Sequence, residues 1–132
     1  MSEKMQSSTA GELLDIVDEH GEPTGVVLPK KRIHAEGLRH RDVHVWVTDG
    51  VSLLEQQRTW EKPIMPGAWD VSVGGHVGAG ESYLDAAVRE TEEELGLALP
   101  PERFHEYGRL AVDMYFEPGP WKHSVVGANF VV

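Results

Sequence analysis

The chain has 132 residues, 40% of them hydrophobic and 26% charged, a balance that fits one globular domain with a sizeable core and excludes collagen, coiled coil and extended disorder. It contains no cysteine, which rules out a disulfide framework, a thiolate metal site and a catalytic thiol. Its 12 basic residues against 22 acidic ones leave a net charge of −10, so a nucleic-acid partner is not expected.

Residues 1–10 are polar and serine-rich and read as a mobile leader ahead of a single domain over 11–132. No apolar run reaches the roughly 20 residues of a membrane helix and no secretion signal opens the chain, so the expectation is a cytoplasmic protein without a membrane partner. Leu13 to Val17 and Val26 to Leu28 are short apolar runs separated by a stretch of turn formers, which predicts a hairpin. The basic stretch Lys30, Lys31, Arg32, Arg39 and Arg41 is either a solvated surface or an attractor for polyphosphate. Val43, Val45 and Val47 alternate with polar or aromatic neighbours and predict a strand, Asp49-Gly50 a turn, and Val51 to Gln57 a returning strand. Residues 58–68 contain Pro63 and Pro66-Gly67 and read as a loop, followed by a short strand over Trp69 to Val73 and a glycine-rich turn over 74–80.

The period then becomes helical. Ser82 with Asp85 forms a capping pattern, Gly96 marks the end, and Leu84, Ala87, Val88, Thr91 and Leu95 make an apolar stripe. Tyr107 to Phe116 and Val125 to Val132 read as strands around a turn at 117–120. The sum is an α/β arrangement, a mixed sheet with one long helix.

Residues 81–94 hold Glu81, Asp85, Glu90, Glu92, Glu93 and Glu94 against Arg89, so six negative charges less one positive place −5 of the −10 here. Glu90, Glu93 and Glu94, at i, i+3 and i+4, share one helical face and repel one another unless a cation lies between them. Mg²⁺ or Mn²⁺ suits such an all-oxygen set together with substrate phosphates. The glycine-rich turn leads into the helix N-terminus, where backbone N–H groups can meet phosphate oxygens. These parts suit metal-assisted hydrolysis of a phosphoanhydride; the bland alternative is a solvated acidic face.

The spacing Gly75, Glu81, Arg89-Glu90, Glu93-Glu94, Gly96-Leu97 resembles the signature of the Nudix superfamily. Thr91 stands where that family usually has an aliphatic residue. The resemblance implies an α/β/α sandwich around a mixed sheet with a loop-helix catalytic motif, a divalent metal on Glu90, Glu93 and Glu94, and Glu81 paired with Arg89 as a brace. A narrower resemblance, to the isopentenyl diphosphate isomerase branch, rests on Asp18-Glu19-His20-Gly21, Thr24-Gly25, His34, His40-Arg41, Gln57-Arg58, Lys62, Pro66-Gly67-Ala68-Trp69 and Gly75-His76. It implies a second metal site from His34, His40 and His76, and substrate-binding positions at Arg58, Lys62, Gly75 and His76. Two departures weigh against isomerisation: Gly74 stands where that enzyme has its catalytic cysteine, and His123 and Val125 fall opposite its late-strand acids. An acid and a base on opposite faces of a carbon are therefore missing.

The reading is a metal-dependent hydrolase of a small nucleoside or organic diphosphate. An isomerase and a noncatalytic diphosphate-binding module are the alternatives. Trp60, in the loop, is the stacking candidate among Trp46, Trp60, Trp69 and Trp121. Because the family normally continues into another helix, an end in the strand at Phe130-Val131-Val132 suggests a missing C-terminal helix and a homodimer through the exposed sheet.

Overall fold

The computed structural model describes residues 12–62, 65–116 and 121–132. The expected leader and the turn at 117–120 lie outside the described residues. Strand β1 (Leu13–Val17) pairs antiparallel with β2 (Pro23–Pro29), with Leu14 opposite Leu28. Their turn closes because the Asp18 carboxylate accepts the N–H groups of His20 and Glu22 at 2.8 and 3.0 Å, a local Asx arrangement. Helix α1 (Lys30–Glu36) follows at once and ends at Gly37 in the left-handed region.

The central sheet is built on β3 (His40–Trp46), which runs antiparallel to β6 (Val73–His76) and parallel to β8 (Trp121–Val131). Strand β7 (His105–Phe116) completes it as an antiparallel hairpin with β8, so the sheet is mixed, in the order β6-β3-β8-β7. A separate short ladder joins β4 (Gln56–Gln57) to β5 (Trp69–Asp70). Helix α2 (Tyr83–Leu95) starts at Ser82, whose hydroxyl accepts the Asp85 N–H at 3.0 Å, and stops at Gly96 in the left-handed conformation, as its capping residues predict.

Alternation along β3 divides the chemistry between two faces of the sheet. Val43 and Val45 point into a core shared with Val73, Ala86, Ala87, Ala128 and Phe130 beneath α2. His40, Asp42 and His44 take the opposite face, beside Val125, Gly127 and Asn129 of the parallel neighbour. The stripe that α2 buries is shifted from the expected one: Tyr83, Ala86, Ala87 and Thr91 are buried, Val88 and Leu95 are partly so, and Leu84 is 36% exposed. Tyr83 moves the centre because its hydroxyl reaches the Val126 carbonyl at 2.9 Å. Thr91 is fully buried and satisfies its hydroxyl on the Ala87 carbonyl at 2.8 Å, which explains its tolerance at an apolar position.

The returning strand expected over 51–57 is reduced to a single bridge between Thr48 and Leu53 and to β4. Asp49 captures the N–H groups of Val51 and Ser52 at 2.9 and 2.8 Å, and Val51, Leu53 and Leu54 stay exposed, so the segment has no face to bury. The strand expected over 69–73 is likewise split. Buried Ser72 turns inward, where its hydroxyl accepts the Val47 N–H at 2.9 Å and donates to the Leu54 carbonyl.

Candidate active site

Gly75 lies where β6 passes under α2. A Cβ there would stand 2.4 Å from the Glu90 carboxyl carbon, so only glycine lets this carboxylate lie against the strand. Arg89 braces the turn and the helix together. Its guanidinium donates to both Glu81 oxygens at 2.8 and 2.9 Å, to the His76 carbonyl at 3.0 Å, to Glu90 at 3.0 Å and to Glu93 at 3.2 Å. Glu81 also accepts the Gly78 N–H at 2.9 Å. Burial pushes the Glu81 carboxyl up, but Arg89 and the Gly78 N–H outweigh it and hold the group below its ordinary value. The Arg89 charge is held more firmly than usual, foremost by its hydrogen bonds to Glu81.

The three helix glutamates are not equivalent. Glu94 accepts from the Gln56 amide at 3.0 Å, and Gln56, Glu90 and the Gly74 backbone oppose the rise that burial imposes on its carboxyl. Burial pushes Glu90 up to about 7, against the pull of Arg89 and with the help of the Glu94 and Glu93 charges. Burial raises Glu94 too. Glu93 is instead turned toward Arg89. Two carboxyls that resist ionisation beside one another form a site short of positive charge, and their all-oxygen donor set fits a hard divalent cation.

On the opposite face of the sheet, His34 from α1, His40 and Asp42 from β3, His76 from β6 and His123 from β8 converge. His34 and His76 ring centroids lie 5.1 Å apart, His40 and His76 5.2 Å, and His40 and His123 5.2 Å. Within the described residues, His34, His40 and His123 form one set of donor atoms all within 4.8 Å of one another, and His40, Asp42 and His76 form another. His40 is 1% exposed. Its Nδ1 faces the Leu38 carbonyl at 2.9 Å and must carry the proton there. Its buried Nε2 therefore presents a lone pair with no hydrogen-bond partner among the described residues. Burial and the neighbouring imidazoles push His34 down to about 4, and burial lowers His40 despite Asp42. Burial pushes the Asp42 carboxyl up, but His123 and His76, the latter at 2.8 Å, overcome it and keep it well below the usual carboxylate range. Imidazoles around a carboxylate, one with a buried unused lone pair, also fit a divalent cation.

Sequence reasoning named His34, His40 and His76 but missed Asp42 and did not anticipate that His123 would join them. The period-two pattern of β3 placed Asp42 on the face of His40, and that was the available signal. Gln56 was missed too: its amide donates to Glu94 at 3.0 Å, from a segment read only as a strand. Arg41, counted within a basic stretch, is buried; it pairs with Asp15 at 2.9 Å and donates to the Gly78 carbonyl at 3.1 Å. Asp15 in turn accepts the Gly80 N–H at 2.9 Å, so this buried pair fixes the glycine turn from below.

Arg58 leaves the β4–β5 ladder half-buried and touches Asp70 at 3.3 Å, while Lys62 is exposed beyond it. The exposed Trp60 ring covers Gly67, where a Cβ would meet it at 2.3 Å; Trp69 is exposed as well. Their link to the glutamates is their place in the loop that follows Gln56 of β4, whose amide reaches Glu94.

The family model for the NUDIX domain matches residues 38–131. The chain is 44% identical over 99 residues to Nudix hydrolase 3 of Arabidopsis thaliana, covering 74% of this chain and 13% of that protein. It is 40% identical over 118 residues to the uncharacterized Nudix hydrolase YfcD of Escherichia coli K12, covering 89% and 61%. The chain thus spans less than two thirds of either relative. The crystal structure of DR0079 from Deinococcus radiodurans matches with a TM-score of 0.62 and 28% identity over 92% of this chain and 72% of that one.

Proposed function

The chain belongs to the Nudix family, and from that premise we propose that it is a divalent-metal-dependent hydrolase cleaving the phosphoanhydride linkage of a small nucleoside or organic diphosphate. The observation that carries the reading is the Glu90–Glu94 pair beside Gly75, with both carboxyls raised by burial. Mg²⁺ or Mn²⁺, when bound, supplies the positive charge that polarises the phosphoryl group and activates water. Glu90, Glu93 and Glu94 hold the ion. Arg89 and Glu81 keep the helix and the glycine turn in register, and Gly75 leaves the room that Glu90 needs. His76 stands at the edge of the turn, its carbonyl held by Arg89, and Arg58 and Lys62 receive the charge of the substrate phosphates. A small-molecule partner and a cytoplasmic setting belong to the same proposal. So do a single domain over 11–132 and a homodimer.

The test is a panel of nucleoside and isoprenoid diphosphates incubated with Mg²⁺ and read by phosphate release. Release from at least one member, abolished reversibly by chelator, is expected; inertness of the whole panel with and without metal contradicts the reading. For the substrate that reports, Arg58→Ala and Lys62→Ala should each raise KM and lower kcat/KM by about 10–100-fold, the scale of one charge-assisted contact to phosphate. Unchanged kinetics in both variants would place the phosphates elsewhere.

A second metal on the histidine face is favoured by the buried, partnerless Nε2 of His40. His34, His40 and His76, together with His123 and Asp42, would hold it. Nitrogen-rich donors prefer Zn²⁺ or Co²⁺ to Mg²⁺. Co²⁺ should therefore bind with d–d absorption bands, and His40→Ala should abolish them while leaving the glutamates intact. Bands that persist unchanged in His40→Ala would exclude this centre.

A further inference from the structure

We propose that Gln56 is a positioning residue that aims the Glu94 carboxylate and registers the Arg58 loop against the metal-binding helix. The inference rests on the hydrolase reading above. It starts from the amide nitrogen of Gln56, which is held between the Ser72 carbonyl and Glu94 Oε1, the latter at 3.0 Å. Ser72 is itself fixed: it is fully buried, and its hydroxyl joins the Val47 N–H to the Leu54 carbonyl. The donor that reaches Glu94 is thus anchored to the core.

The chemistry of the donor fits the task. A lysine or arginine at this place would neutralise Glu94 and repel a cation; an amide directs one oxygen and leaves the negative charge for the ion. Arg89, the cation of the site, is engaged with Glu81, Glu90 and Glu93, and the side-chain hydrogen bond to Glu94 comes from Gln56.

Gln56 also lies two residues before Arg58 on the strand whose ladder continues through the Arg58 N–H to the Ala68 carbonyl at 2.8 Å. Residues at i and i+2 of an extended segment share a face. The group that aims the metal carboxylate and the group assigned to substrate phosphate are therefore carried on one side of one short ladder.

Titration calorimetry of the full chain with Mg²⁺ alone tests this, because that oxygen-seeking ion does not favour the imidazole cluster. Gln56→Leu, of similar size but without a donor, should weaken Mg²⁺ binding about tenfold, the lower end of what loss of a supporting partner costs in metal affinity. Turnover at saturating metal should fall by a comparable factor and KM should rise, though by less than in Arg58→Ala, because the loop loses its register but keeps its guanidinium. Gln56→Lys, a polar replacement that tests the same point if the leucine variant folds poorly, should weaken Mg²⁺ at least as much because it adds positive charge. Glu94→Gln separates the two levels of argument. If it weakens Mg²⁺ while both Gln56 variants bind like the unaltered protein, the positioning role is overturned and the hydrolase reading stands. If Glu94→Gln leaves Mg²⁺ binding unchanged, the metal assignment fails, and this inference fails with it.

Discussion

Glu90→Gln and Glu94→Gln should each lower turnover at least about a hundredfold while the fold persists, because each keeps the shape of the side chain and removes the charge that binds the ion. Stability should move independently of activity. Burial raises Glu90 to about 7 from an ordinary 4.5, so the folded state binds this proton more tightly than the unfolded chain does. In chelator, Glu90 therefore makes the protein less stable as pH rises from about 4.5 through about 7. His34 works the other way. Its value falls from 6.5 to about 4, so the unfolded chain binds the proton more tightly and stability is lost as pH falls across that interval. Metal-free protein should consequently show a shallow pH dependence in which the two trends oppose. Glu90→Gln should weaken the first trend, which Glu94 shares, and tilt the profile toward stability that rises with pH from about 4 to 6.5. Melting temperatures measured across this range in chelator check the sign; a Glu90→Gln profile with the slope of the unaltered protein would contradict the assignment.

Gly75→Ala should be nearly as damaging to activity, for a steric reason. The added Cβ would lie 2.4 Å from the Glu90 carboxyl carbon, closer than any nonbonded contact permits. Glu90 is the movable partner, because the added Cβ meets the far end of its flexible side chain and not the backbone, so the expected response is its displacement from the site. Turnover should then fall about a hundredfold, as for loss of Glu90, while the melting temperature changes little. Retained activity would mean that Glu90 does not act from the position it occupies against β6. A large loss of stability would mean that the strand moves instead.

The helix and its charge pattern were legible because they are local: Ser82 and Gly96 set the ends, and the i, i+3, i+4 spacing sets the face. The brace from Glu81 to Arg89 was legible only through resemblance, since nothing in the spacing of a turn and a helix dictates which acid a guanidinium meets. The histidine face was half legible. His40 and Asp42 share a strand face by alternation, but His34, His76 and His123 reach them through α1, β6 and the parallel pairing of β3 with β8, contacts between segments distant in sequence. Gln56 escaped notice for the same reason, its partner Glu94 being 38 residues away. The returning strand was overread because alternating apolar residues signal a buried face only where another element covers it, and Val51, Leu53 and Leu54 have no such cover.

On the proposed function, the site adds water to phosphorus and moves no proton at carbon. Incubation with Mg²⁺ and diphosphates, isopentenyl diphosphate among them, in a mixture of ¹⁸O-labelled water and deuterium oxide distinguishes the two chemistries in one mass spectrum. Hydrolysis places ¹⁸O in a released phosphate product. Isomerisation places deuterium on carbon and requires an acid and a base that Gly74 and Val125 cannot provide. ¹⁸O is expected in the phosphate product of at least one substrate and carbon-bound deuterium in none; deuterium incorporated at carbon, without labelled phosphate, would contradict hydrolysis.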